Sequence, residues 1–83
     1  MTVSGTIELD LCGLRCPLPL LKIKQALRGL QQDKLLRVWL DDEGSLKDVP
    51  LWLATSTHQL VTNEQADKGV CLLIRCGGSH QGL

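Results

Sequence analysis

The run Cys12-Gly13-Leu14-Arg15-Cys16-Pro17-Leu18-Pro19 sets a thiol directly before a proline. Proline suits the first position of a helix, where its missing N–H costs no hydrogen bond. The spacing therefore predicts Cys16 as a helix N-cap, with its sulfur beside the free N–H groups of the first turn. A helix N-terminus carries roughly half a unit of positive charge and favours anions. A thiol held there is expected to be more acidic than a free cysteine, which titrates near ~8.5. Ser, Thr, Asp and Asn cap helices better than Cys. A cysteine in this place therefore points to nucleophilic sulfur chemistry more than to capping. Arg15 and Lys22 are candidates for added positive potential or for contact with a partner.

The other thiols divide by position. Cys12 lies four residues before Cys16, across a turn at Gly13. It is either a spectator or the resolving half of a redox pair, and the second reading would make the chain a thiol redox switch. Cys71 falls within a strand pattern, and Cys76 precedes Gly77-Gly78. The two cysteine pairs do not sit on the tight knuckles of structural zinc sites, so no metal is expected. His58 and His80 form no Cys/His protease pattern. The turn Asp41-Asp42-Glu43 reads as a solvated acidic loop. Residues 79–83 follow Gly77-Gly78, so the pair reads as the start of a flexible tail and not as an activated C-terminus.

The elements that must place Cys16 follow from periodicity. Residues 6–11 alternate apolar and polar, the pattern of a half-buried strand. A helix is expected from residue 17 to about 31, with Leu20, Ile23, Leu27 and Leu30 on one face and Ala26 beside them. Residues 34–40 form a second strand. Ser45 and Asp48 match a capping box for a second helix ending near residue 56, with Leu46, Val49 and Leu53 inward. Pro50 is expected to distort that helix or delay its start to Asp48. Residues 58–64 and 70–75 complete four strands.

The order β-α-β-α-β-β predicts an α+β two-layer sandwich, with two helices on one face of a four-stranded mixed sheet. Its core would take Ile7, Leu9, Leu11, Leu36, Val38, Leu40, Val70, Leu72 and Ile74. The open face would carry Glu8, Asp10, Leu35, Arg37, Trp39, Cys71, Leu73 and Arg75. The large apolar groups among them, Trp39 foremost, make that face a candidate docking surface. On that reading the chain is a regulatory binding module.

Bulk properties narrow the setting. With 83 residues the chain is expected to be one domain, with residues 1–5 and 79–83 as flexible tails. Nine Lys and Arg balance nine Asp and Glu, so nothing draws the whole molecule to nucleic acid. The only aromatics are Trp39 and Trp52, too few for a base-stacking platform. No apolar run approaches the ~18 residues of a membrane span. The first residues lack signal-peptide character. A cytoplasmic monomer is expected, with four reduced cysteines.

Asp10, Gly13, Cys16, Pro17 and Pro19 together resemble the Cys-Pro-x-Pro signature of the TusA/SirA family of small sulfur carriers. Asp41-Asp42, the segment Asp48-Val49-Pro50 with Trp52, and the closing strand before Gly77-Gly78 are also similar to that family. The resemblance spans residues 6–78. It implies the same β-α-β-α-β-β fold. It implies that Cys16 carries sulfane sulfur as a persulfide, with no cofactor beyond that covalent sulfur. It implies a protein donor, a cysteine desulfurase or a rhodanese-like protein, and a protein acceptor. The relay would serve tRNA thiolation or sulfur and thiosulfate metabolism, and a membrane transporter is among the partners the family offers. Cys12, Cys71 and Cys76 are additions to the core motif.

Overall fold

The computed structural model describes residues 6–77. Strand β1 (Thr6–Asp10) leads through a turn to helix α1 (Leu18–Arg28), then β2 (Leu35–Leu40), α2 (Glu43–Ala54), β3 (Gln59–Ala66) and β4 (Gly69–Arg75). The expected tails, residues 1–5 and 79–83, lie outside the described residues. The four strands form one sheet in the order β1-β2-β4-β3. β1 and β2 run parallel, joined by the α1 crossover that parallel neighbours need. β4 runs antiparallel to both β2 and β3. This is the mixed sheet that the element order predicts.

The strict alternation of β2 decides which way the sheet faces. Leu36, Val38 and Leu40 are fully buried, whereas Leu35, Arg37 and Trp39 are half-buried on the other side. Leu72 and Ile74 of β4 join the buried set. α1 contributes Ile23 and Leu27, and α2 contributes Val49 and Leu53. Full burial of each such aliphatic side chain stabilises by about 1.5–3 kcal/mol. Both helices therefore cover one face, and the opposite face stays open. There, Glu8 pairs across the sheet with Arg37 and Arg37 with Leu73, and Asp10 pairs with Trp39 and Trp39 with Cys71.

Several details depart from the periodicity. Ile7 was expected in the core but is 46% exposed. It lies on β1, an edge strand, where the helices no longer cover the sheet. Leu9 is only partly buried for the same reason, and Val70 likewise packs at the margin of the core. α1 stops at Arg28 instead of near residue 31, with Gly29 as its C-cap, since glycine is a poor helix propagator. α2 begins earlier than its proline suggests, at Glu43, and runs through Pro50. Val49 and Leu53 anchor it on both sides of that proline, and their burial outweighs the lost backbone bond.

Beyond β4, the pairing with the β2 side continues irregularly. Cys76 N–H donates to Lys34 O at 2.8 Å, and Asp33 N–H donates to Cys76 O at 2.7 Å. Cys76 is fully buried. Its thiol is directed at the Leu27 carbonyl of α1 at 3.5 Å and at the Leu30 carbonyl just beyond that helix at 3.6 Å.

Candidate functional site

The Cys16 loop is built from two consecutive tight turns. Leu14 N–H donates to Leu11 O at 3.2 Å, closing a turn over Cys12 and Gly13. Gly13 has φ +89°, the positive value that a type II turn requires at its third position and that glycine adopts without steric cost. Next, Leu18 N–H donates to Arg15 O at 2.9 Å, closing a turn over Cys16 and Pro17. The Cys16–Pro17 peptide is cis, which makes this turn type VI.

The expected start of α1 is thereby corrected. Pro17, not Cys16, occupies the N-cap, with no side-chain cap bond, and Pro19 sits within the first helical turn. Cys16 is held one residue outside the helix by its turn. Pro19 is also buried, so it packs as well as suiting a position that lacks a carbonyl partner.

Three aspartates from outside the loop hold it in place. Asp10 Oδ1 accepts Cys12 N–H at 3.1 Å. Asp41 Oδ1 accepts Gly13 N–H at 2.9 Å. Asp42 Oδ2 accepts Cys16 N–H at 3.0 Å. The same oxygen of Asp42 takes Ser45 N–H at 3.0 Å and the Ser45 hydroxyl at 3.2 Å. Asp42 is thus the N-cap of α2. The expected Ser45/Asp48 capping box does not form, because Ser45 lies one turn inside the cap and is buried. The acidic turn is no mere solvated loop. It is the clamp on the cysteine loop.

Cys16 is exposed, and its Sγ donates to Asp48 Oδ2 at 3.2 Å. Gly44, in the first turn of α2, lies directly against it. A Cβ there would stand 3.2 Å from Cys16 Cβ and 3.7 Å from Sγ. The sulfur therefore does rest at a helix N-terminus, but that of α2 and not α1.

The expected acidity is reversed. The hydrogen bond to Asp48, then partial desolvation, then the negative charges of Asp48 and Asp42 push the Cys16 thiol above its ordinary value. Two full negative charges outweigh the roughly half charge of a helix end. Arg15 does not offset this at the sulfur. Its charge helps to hold the Asp42 carboxyl below the usual range, behind the hydrogen bonds from Ser45 and Cys16. Lys22 is exposed on α1, and the charges acting on Cys16 are those of the two carboxylates.

Cys12 belongs to a different cluster. Its Sγ donates to Lys68 O at 2.8 Å. Lys68 Nζ pairs with Asp10 Oδ2 at 3.0 Å and lies 4.6 Å from the centre of the Trp39 ring. Trp39, a candidate docking residue, is thus half-buried beneath a lysine from the β3–β4 hairpin. The Cys12 and Cys16 thiols are directed to separate acceptors, and all four cysteines are free. Among the described residues no group of three His, Cys, Asp or Glu is placed to hold a metal ion. No described helix is long and apolar enough to cross a membrane.

Gly44 and Lys68 are site contributions that residue-type reasoning passed over, and Asp48 was singled out there for a capping box and a family-like segment but not for its contact with Cys16. For the clamp the available signal was Asp42 three residues before Ser45, an N-cap spacing. For Asp48 it was the helical repeat, which sets it one turn past Gly44.

Comparison with known proteins places the chain's sequence and fold. Residues 7–76 match the family model described as "Sulfurtransferase TusA". A Bacillus subtilis (strain 168) protein named "Putative sulfur carrier protein YrkF" is 31% identical over 78 residues, which is 94% of this chain. The chain spans only 42% of that relative's length. The crystal structure of a SirA-like protein from Desulfitobacterium hafniense superposes with a TM-score of 0.71 at 25% identity, covering 87% of this chain and 97% of that one.

Proposed function

The chain belongs to the TusA sulfurtransferase family, and we propose on that footing that Cys16 is its sulfur-bearing thiol. The observation that supports this choice most is exposure combined with fixation. Cys16 is the exposed one of the four cysteines, and its backbone is tied to the N-cap of α2. Cys76 is buried, and Cys12 and Cys71 are intermediate.

The transfer is a displacement between sulfurs. Cys16 Sγ attacks the outer sulfur of a donor persulfide, R–S–SH. The Sγ–S bond forms as the donor S–S bond breaks, and the donor sulfur leaves with the electron pair. The proton lost by Cys16 ends on that leaving thiolate, so Cys16–SH and R–S–SH become Cys16–S–SH and R–SH with no net oxidation. A second displacement of the same kind passes the outer sulfur to an acceptor cysteine. The donor is a protein persulfide, that of a cysteine desulfurase or a rhodanese-like protein. The acceptor is a protein in a relay for tRNA thiolation or for sulfur and thiosulfate metabolism, with a membrane transporter as one such partner.

Intact-mass and peptide mass spectra after incubation with a cysteine desulfurase and cysteine test this reading. A gain of about 32 Da on the Cys16 peptide, absent in Cys16→Ser, is expected. Loading that persists in Cys16→Ser would overturn it.

A further inference from the structure

The contact between Cys16 and Asp48 is the part of the site that sulfur transfer does not by itself explain. A nucleophilic sulfur is ordinarily placed beside cations or a free helix N-terminus, which favour the thiolate. Here the side chain that touches the sulfur is a carboxylate, with Asp48 Oδ2 at 3.2 Å. A second carboxylate, Asp42, holds the backbone of the same residue at 3.0 Å. Gly44 lies against Cys16 Cβ from the third side.

We propose that Asp48 is a positioning residue that turns the S–H of the unloaded Cys16 toward α2 and holds its proton on sulfur. This rests on Cys16 being the sulfur-bearing thiol. A carboxylate can accept the S–H hydrogen bond only while the proton stays on sulfur. Once that proton leaves, the same contact becomes a repulsion between two anions. The free carrier therefore holds its sulfur in the form that alkylates and oxidises slowly, since the thiolate is the reactive species.

The groups that face the sulfur are consistent with this role. From α2 and its cap come Asp48 and Asp42, both of which raise the thiol. From the cysteine's own loop comes Arg15, whose charge acts on Asp42. The α2 N-terminus opposes the two carboxylates with only about half a unit charge.

The test is the pH profile of Cys16 alkylation by iodoacetamide, followed on the Cys16 peptide by mass spectrometry. Asp48→Asn should move the midpoint to lower pH and speed alkylation at pH 7 by roughly three- to tenfold. Asp48→Glu, which restores the charge, should move the midpoint back toward the wild type. A merely structural role for Asp48 would change the melting temperature and leave the midpoint in place. An unchanged midpoint in folded Asp48→Asn, or slower alkylation at every pH, overturns the proposal.

If Asp48→Asn does not fold, the wild type decides alone. Its Cys16 midpoint must lie higher in the folded chain than in urea, and an equal or lower value overturns the proposal. Sulfur loading is a separate measurement. Its absence with the midpoint shift intact would count against the carrier reading and not against the Asp48 contact.

Discussion

Asp42 and Cys16 are joined by a bond with two consequences: the carboxylate oxygen that receives Cys16 N–H at 3.0 Å also caps α2 through Ser45. One atom thus fixes the start of a helix and the position of a reactive loop. Asp42→Ala removes both, and loss of an aspartate cap alone is a recognised cause of destabilisation. The variant is expected to melt about 5 °C lower. It should also alkylate Cys16 faster at pH 7, because one of the two carboxylates that push the thiol up is gone. A melting curve and a time course of labelling check the two parts. Unchanged melting would show that the cap bond adds nothing in solution.

Gly44 tests the tightness of the same junction without removing a polar group. A methyl group there would stand 3.2 Å from Cys16 Cβ and 3.3 Å from Asp42 Oδ2. Those neighbours would have to yield by a few tenths of an ångström. Alanine also favours a helix over glycine, by up to ~1 kcal/mol in an interior position. For Gly44→Ala the two effects oppose each other in stability but not at the sulfur. The melting temperature should therefore stay within a few degrees of wild type, while sulfur loading slows several-fold. Wild-type loading by the variant would mean that the sulfur moves freely over α2.

How far this site was legible in the sequence depends on the distance between partners along the chain. The buried faces of β2 and β4 were plain, because alternation is local and Leu36, Val38, Leu40, Leu72 and Ile74 all obey it. Ile7 obeys the same alternation yet is exposed, since edge position is a property of the assembled sheet. The cysteine loop was recognisable from its own residues, but its clamp was not. Gly13 meets Asp41, and Cys16 meets Asp42 and Asp48, across 28, 26 and 32 residues respectively. Read locally, Cys16-Pro17 looked like a helix start with an acidic thiol. The contacts across the fold make it a turn with a less acidic one.

His58 links the closing segment to pH. Its Nδ1 accepts Gly77 N–H at 2.9 Å, and its ring stands 5.7 Å from that of Trp52. Burial pushes the imidazole below its ordinary value of 6.5. A protonated Nδ1 could no longer accept the Gly77 bond. With the folded value depressed, the unfolded chain binds the proton more readily. The stabilisation is then fully present above about pH 6.5 and is lost as pH falls through the lower folded value. The melting temperature should fall between pH 7.5 and pH 5, and His58→Gln should flatten that fall. A second decline is expected at lower pH. Asp10 and Asp42 are both held below the ordinary 3.8, by Lys68 and by the Ser45 and Cys16 N–H groups. Their contribution is present above 3.8 and lost as pH drops through their folded values. A melting temperature that is flat from pH 7.5 to pH 5 would remove His58 from this account.

Cys16, Cys12 and Cys76 should react in an order set by burial and by their bonds. Cys76 is fully buried against α1, with its sulfur directed at the Leu27 and Leu30 carbonyls. It should resist iodoacetamide in the folded chain and react only when the chain opens. Cys12 is half-covered, and its thiol is pushed up by desolvation and by Asp10. Cys16 is also pushed up, but it is the exposed thiol, and access favours it over Cys12. Limited labelling at pH 8 followed by peptide mapping should therefore find Cys16 modified first and Cys76 last. Replacing Cys76 with Ala should lower stability, since it opens a cavity at the α1–β4 junction, yet leave sulfur loading intact. Early labelling of Cys76, ahead of Cys16, would mean that the segment after β4 opens far more readily than its burial and its backbone bonds to Lys34 and Asp33 imply.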